Sequence, residues 1–498
     1  MKKLKAPDTY VIIFFVVLFA AALTYFIPPG KFETRQHTYQ YKGKTRTKTV
    51  LAPSTFETVK QDNGNSKVDG VPIFGTHGET GFLNYAFDGL TSGDKWGTAV
   101  GVVAFILVIG GAFGIVMETG AIESGILKMA EYTKDKDILI IPVMFFLFSL
   151  GGAVFGMGEE AIAFAMILVP MMVALGFDSI TGVLVTFVAT QIGFATSWMN
   201  PFGVAIAQGV AGVPVMSGAL FRIFMWSFFT LVGIVYTTLY AKKIKKNPTQ
   251  SLAYETDAYF RDDLARKEDL ESDFSLGDKL VVLAVLLTVI WIIYGVVAKG
   301  YYIPEIASQF FVMGLIAGVI GVIFNLNNMK INDIAKGFRQ GARDLLGAAL
   351  VVGMAKGIIL VLGGEDPSQP SVLNTILYTA GNSVADFSAS ISAWFMYVFQ
   401  SIFNFFVVSG SGQAALTMPL MAPLADIVKV NRQVAVLAFQ LGDGFTNIIV
   451  PTSAALMGTI GVAHLDWTKW AKFQFKLQIG LFLLGSLFVI GAALFGFH

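Results

Sequence analysis

The chain has 498 residues, 55% of them hydrophobic and only 14% charged, with a net charge of +1 and a mean hydropathy of +0.66. This balance is that of a polytopic helical membrane protein, and it offers no basic field to a nucleic acid. The lack of cysteine excludes disulfides, thiolate metal sites and a cysteine nucleophile.

Residues 1–28 begin with Lys2, Lys3 and Lys5 and continue into an apolar run of about 18 residues, too long for the core of a typical signal peptide. A retained first span is expected. Residues 29–96 follow as an external loop, in which TYQYKGKTRTKTV alternates about a glycine and predicts a small β-hairpin. Full spans are expected near 10–27, 97–118, 179–210, 219–241, 278–298, 307–325, 345–363, 431–463 and 475–496. Two further apolar segments, 137–176 and 389–424, are broken in their middles by GMGEE and SGSGQ.

Basic residues sort the loops. Lys2, Lys3 and Lys5; Lys128, Lys134 and Lys136; Lys242, Lys243, Lys245 and Lys246; Lys330, Lys336, Arg339 and Arg343; and Lys469, Lys472 and Lys476 all fall on one side if each broken segment returns to the side it left. The positive-inside rule makes that side cytoplasmic, with the N-terminus inside and the C-terminus outside. The basic loop 29–96 is long enough to escape the rule.

The expected fold is an all-α polytopic membrane protein of two inverted-topology repeats, with about nine full spans and two hairpins. Repeat one, 97–246, carries a cytoplasm-facing re-entrant hairpin (137–176) and a broken helix (179–210). A polar cytoplasmic linker, 247–277, leads to repeat two, 278–498, with an outward-facing hairpin (389–424) and a broken helix (431–463). The pairing rests on GMGEEA at 156–161 against GSGQAA at 410–415, and on ATQIGFATSWMNPFGVAIAQG at 189–209 against FQLGDGFTNIIVPTSAALMG at 439–458. Proline within each second segment opens the helix. Opened backbone at membrane depth is tolerated where it lines a cavity, and paired interruptions in inverted halves point to a substrate site near the midplane.

Few ionisable groups are expected at that depth: Glu159 and Glu160 at the first tip, Asp443 in the second broken helix, and Lys356 in AALVVGMAKGIILVL. Each needs a partner or an aqueous cavity. Lys356 has two readings, an ion pair with one glutamate or contact with a substrate carboxylate. Ser197, Asn200, Thr446 and Asn447 offer polar groups at the breaks, either to a ligand or to freed backbone. Gly158, Ser411, Gly412 and Gln413 belong to the tips, where glycine permits a tight turn, and Trp198 either walls the pocket or packs. No metal ligand set and no cofactor motif occurs; neither a nucleotide-binding G-x-x-x-x-G-K-[ST] nor HExxH is present. The four histidines fall in loops or at the terminus, so no histidine relay is expected. A secondary carrier fits better than an intramembrane enzyme or a channel.

GGAFGIVMETG, SLGGAVFGMGEEAIAFAMI, ATQIGFATSWMNPF, IPEIASQFF, NFFVVSGSGQAALTMPLMAPL and VNRQVAVLAFQLGDGF resemble the YfcC-like branch of the four-carbon-dicarboxylate anaerobic carrier family, within the ion transporter superfamily. The resemblance runs from about residue 6 to the C-terminus. It implies a bacterial inner-membrane carrier, a homodimer with scaffold and transport subdomains, and an elevator-like movement. The family name implies dicarboxylates, whereas the branch is similar to basic amino-acid antiporters, including arginine/ornithine exchangers. The tips also depart from the paired Ser-Asn-Thr of sodium-coupled dicarboxylate carriers. Three acidic groups against one lysine favour a cationic substrate, with Glu159, Glu160 or Asp443 facing the side-chain cation. A four-carbon dicarboxylate carrier coupled to sodium or protons is the alternative.

Overall fold

The computed structural model describes residues 9–41, 44–60, 68, 70–95, 99–122, 124, 125, 128, 137–200, 203–214, 216–262, 274–364, 366–382 and 387–497. The orientation residues Lys2, Lys3, Lys5, Lys134 and Lys136, the hairpin turn at 42–43, Pro201 and residues 263–273 of the linker lie outside this set.

The chain is mostly helical, and among the described residues six helices are long and apolar enough to cross a bilayer. Five match expected full spans: α3 (Ala99–Glu118), α8 (Ala219–Lys246), α9 (Leu276–Tyr294), α10 (Ile303–Ile323) and α18 (Trp467–Leu494). The sixth, Asp137–Val154, is the first arm of the first broken segment. Expected spans 10–27 and 345–363 appear as the 16-residue helices α1 (Thr9–Thr24) and α12 (Leu346–Val361). The amphipathic α11 (Ile331–Asp344) precedes α12 across a 43° bend. Short helices α2 (Tyr85–Thr91) and α13 (Val372–Asn382) lie in the loops after α1 and α12.

Both broken segments reverse direction. α4 (Ile140–Phe155) and α5 (Glu160–Ala174) flank the first break, and the rings of Phe148 and Phe164 meet at 5.2 Å. Sixteen residues of straight helix would part them by about 24 Å. α14 (Ala389–Phe403) and α15 (Gly410–Ile427) flank the second, where the Gln400 amide donates to Thr417 Oγ1 at 2.9 Å.

Expected spans 179–210 and 431–463 are each split. The first is α6 (Ser179–Ala195) and α7 (Val204–Ala211); the second is α16 (Arg432–Asn447) and α17 (Ala454–Val462). Glycines set how these elements cross. A Cβ on Gly193 would lie 1.8 Å from the Ser149 carbonyl, and one on Gly444 would lie 2.5–2.8 Å from Ala195. α6 therefore touches α4 backbone to backbone, and the two split helices cross at their breaks. Another small-residue seam joins α3 to α11, with Gly110 and Gly114 against Gly341 and Gly337.

In the loop after α1, β2 (Thr34–Tyr41) pairs antiparallel with β3 (Lys44–Leu51), and β1 (Gly30–Lys31) with β4 (Glu57–Thr58). The base is tied to the segment after α12 by paired Gly30–Ser371 backbone hydrogen bonds of 3.0 and 2.9 Å. The hairpin reaches α7, where His37 Nε2 donates to the Gly209 carbonyl at 2.6 Å. The first part of the linker, residues 247–262, is docked rather than free. Ser251 Oγ donates to Asp178 at 2.6 Å, the Ser179 N–H donates to Asp257 at 3.2 Å, and the Tyr259 ring packs tilted against His464 at 4.1 Å.

Candidate functional site

The first tip turns at Gly156, whose φ of 71° is left-handed and suits glycine. Gly158 then donates its N–H to Glu160 Oε2 at 2.9 Å, so the carboxylate closes the tip from which α5 starts. At the second tip Ser409 caps α15, accepting the Gly412 N–H at 3.3 Å.

Both tips face one cavity of about 190 Å³. Gly158, Glu159 and Glu160 line one wall, and Ser409, Gly410 and Ser411 another. Ser453 and Ala454, where α17 starts, form a third together with Asn447 and Gln191. The opposite side comes from α12, through Val352, Ala355, Lys356 and Ile359, and from Tyr302 just before α10. The N-terminal turns of α5, α15 and α17 thus converge on one space. Each carries roughly half a positive charge from its aligned peptides and exposes backbone N–H groups. Two carboxylates and a lysine complete the lining, which suits a ligand bearing both a carboxylate and a cation.

Of the residues singled out in the sequence, Gly158, Glu159, Glu160, Ser411, Asn447 and Lys356 line this cavity. The others do different things. Ser197 donates to the Ala153 carbonyl at 2.6 Å and accepts the N–H groups of Met199 and Asn200. Asn200 Oδ1 accepts the Gly203 N–H at 3.2 Å, so both side chains satisfy backbone freed by the first break. Trp198 packs edge-on against Trp226 at 5.0 Å. The Thr446 carbonyl accepts the N–H groups of Ile449 and Val450, closing the end of α16. Gly412 binds Ser409 as described, and Gln413 holds Gln400 at 2.7 Å. Asp443 is wholly buried beside Gly410, receiving Asn447 Nδ2 at 3.3 Å.

The matched glutamines Gln191 and Gln440 both reach across the crossing. Gln191 Oε1 accepts from Asn447 at 3.4 Å, and Gln440 Nε2 donates to the Ser197 carbonyl at 2.6 Å. Arg222, in the first turn of α8, escapes the sequence reading. It is wholly buried, and its guanidinium donates to Gln440 and, at 3.2 Å, to Gln433. Its place at the start of a span resembles an interfacial arginine, so nothing local marks it. Ser453 had a signal, a serine two residues after the helix-breaking Pro451; Tyr302 had none.

A family profile and one sequence relative agree with a carrier. The profile of the family described as C4-dicarboxylate anaerobic carrier matches residues 6–494. The chain is 53% identical over 493 residues to an Escherichia coli (strain K12) protein named "Putative basic amino acid antiporter YfcC", covering 99% of this chain and 97% of that one. It is 31% identical over 512 residues to an uncharacterized Haemophilus influenzae protein, covering 98% and 97%. Among solved structures, the Alcanivorax borkumensis YdaH transporter aligns with a TM-score of 0.40 at 14% identity, over 98% of this chain and 99% of that one. Neisseria gonorrhoeae MtrF, of a class of antimetabolite efflux pumps, aligns at 0.39 and 13%, over 98% and 95%. The chain belongs to the C4-dicarboxylate anaerobic carrier family: it is a multi-pass membrane transporter, not an enzyme.

Proposed function

We propose that this member of the C4-dicarboxylate anaerobic carrier family is an antiporter that exchanges basic amino acids, arginine and ornithine, across the bacterial inner membrane. The observation that carries the reading is the single cavity shared by Glu159, Glu160 and three helix N-termini. A guanidinium or ammonium side chain pairs with the glutamates, a guanidinium in bidentate fashion. The α-carboxylate sits on the N-terminal turns of α15 and α17, beside Lys356. The name of the E. coli relative supports the same class.

In this reading the two halves are inverted repeats, with the N-terminus cytoplasmic and the C-terminus periplasmic. The hairpins and split helices form a transport subdomain that moves like an elevator against a homodimeric scaffold. Lys356 and Tyr302 then contribute the stationary wall, and the tips carry the substrate past it.

A second reading, a four-carbon dicarboxylate carrier driven by sodium or protons, draws on the helix N-termini, Lys356 and the family description. Proteoliposomes loaded with ornithine and offered labelled arginine or labelled succinate separate the two. Arginine uptake that requires internal ornithine supports exchange of basic amino acids. Succinate uptake without arginine uptake rejects it.

A further inference from the structure

We infer that a monovalent cation, a sodium ion or a proton, binds at Asp443 beneath the second hairpin tip. The basis is a surplus of acceptors in a buried place. Asp443 Oδ1 receives Asn447 Nδ2 at 3.3 Å, while Oδ2 has no partner. Asn404, just after α14, spends its Nδ2 on the Asp443 carbonyl at 3.0 Å and on Asn447 Oδ1 at 2.8 Å, leaving its own Oδ1 without a donor. Gln413, in the first turn of α15, spends its Nε2 on Gln400 and leaves its Oε1 without one. All three residues are at 0% exposure.

Asp443 Oδ2 and the Oδ1 of Asn404, a residue bonded to the Asp443 backbone, thus lack hydrogen-bond donors, as does Gln413 Oε1 in the first turn of α15. A carboxylate away from water needs compensating charge, and native interiors rarely leave such groups unmet. The α15 N-terminus beside Asp443 supplies only a partial charge of about half a unit, and its Gly412 N–H is already taken by Ser409. A proton on Asp443 supplies both the charge and a donor. A sodium ion supplies the charge and takes oxygen ligands, which hard cations prefer.

The position ties the cation to the tip. A Cβ on Gly410 would lie 2.8 Å from Asp443 Oδ2, so the carboxylate abuts the first residue of α15. Gly410 and Asn447 also line the substrate cavity. An occupied Asp443 site holds the second tip against α16 and makes its seating depend on the cation. The coupling role rests on the carrier reading; the binding itself does not.

The test therefore contains no amino acid. Thermal unfolding of the purified full-length protein in detergent is followed against sodium chloride, with choline chloride keeping ionic strength constant, and separately against pH without sodium. Ligand binding to the folded state raises the melting temperature with concentration. A sodium-dependent rise in the wild type that is lost in Asp443→Asn assigns sodium. A wild-type minus Asp443→Asn difference that changes with pH, without any sodium effect, assigns the proton. If Asp443→Asn does not fold, Asn404→Ala is expected to weaken the same dependence. Equal sodium and pH responses in the wild type and the variant overturn the inference. Arginine failing as substrate would leave these curves unchanged, so the two readings fail separately.

Discussion

Gln440 donates its side-chain amide to the Ser197 carbonyl at 2.6 Å, joining the second split helix to the break of the first. The same glutamine accepts from the buried Arg222 guanidinium through its oxygen. One side chain therefore satisfies a cation from α8 and a carbonyl freed at the site.

Gln440→Glu separates these two duties. The carboxylate keeps an acceptor for Arg222 but removes the donor to Ser197. Leaving a buried carbonyl unmade costs about 1–3 kcal/mol, so transport should fall on the order of tenfold while monodisperse, folded protein is retained. Unchanged transport rates, measured in proteoliposomes, would mean that the link is dispensable.

Glu159→Gln and Glu160→Gln test the charge at the first tip. A glutamine oxygen at position 160 can still accept the Gly158 N–H, so the turn should survive. Loss of a charged hydrogen bond to the substrate cation corresponds to about 1.5–3 kcal/mol, roughly a 10- to 100-fold fall in apparent affinity for arginine. Wild-type exchange kinetics in both variants would remove the tip carboxylates from the mechanism.

Gly193→Ala probes the backbone contact between α4 and α6. The added methyl would lie 1.8 Å from the Ser149 carbonyl, which is rigid helix backbone. Overpacking of this kind costs about 1–3 kcal/mol or more, so a lower melting temperature and a poor yield are expected. Gly158→Ala meets nothing within 4 Å and should leave stability nearly unchanged.

The linker supplies a pH dependence outside the membrane. Burial pushes Asp257 up to about 6, against the hydrogen bond from Ser179. The folded state thus holds this proton more tightly than the unfolded state, whose aspartate titrates near 3.9. Stability from this group is present at low pH and declines as pH rises from about 4 to 6, by on the order of 2–3 kcal/mol. Hydrogen exchange of residues 251–262 should therefore speed up as pH rises from about 4 to 6 and level off above it, after correction for intrinsic rates. In Asp257→Asn that change should vanish; a variant that retains it assigns the effect elsewhere.

Much of the architecture was legible because its signals are local. Apolar runs long enough for a bilayer marked the long helices, and Gly- and Pro-containing interruptions marked GMGEE, SGSGQ and the two splits. TYQYKGKTRTKTV became β2 and β3 as its alternation predicts. The polar residues of the breaks were legible as a set, but not by role. Ser197 and Asn200 bind backbone within a few residues or on α4, whereas Asn447 lines the cavity. Both patterns are a polar residue beside an opened helix, so spacing does not separate them.

By itself, then, the sequence determined a membrane carrier with interrupted helices and few charges at depth, because hydropathy and helix breaking act over a handful of residues. The tertiary structure decided which polar groups share a site. Gly444 against Ala195 brings the breaks together, Arg222 finds Gln440 from 218 residues away, and Lys356 joins Glu159 and Glu160 around one cavity. Those relationships depend on how helix backbones approach one another, and that close packing is set between distant segments rather than within any one of them.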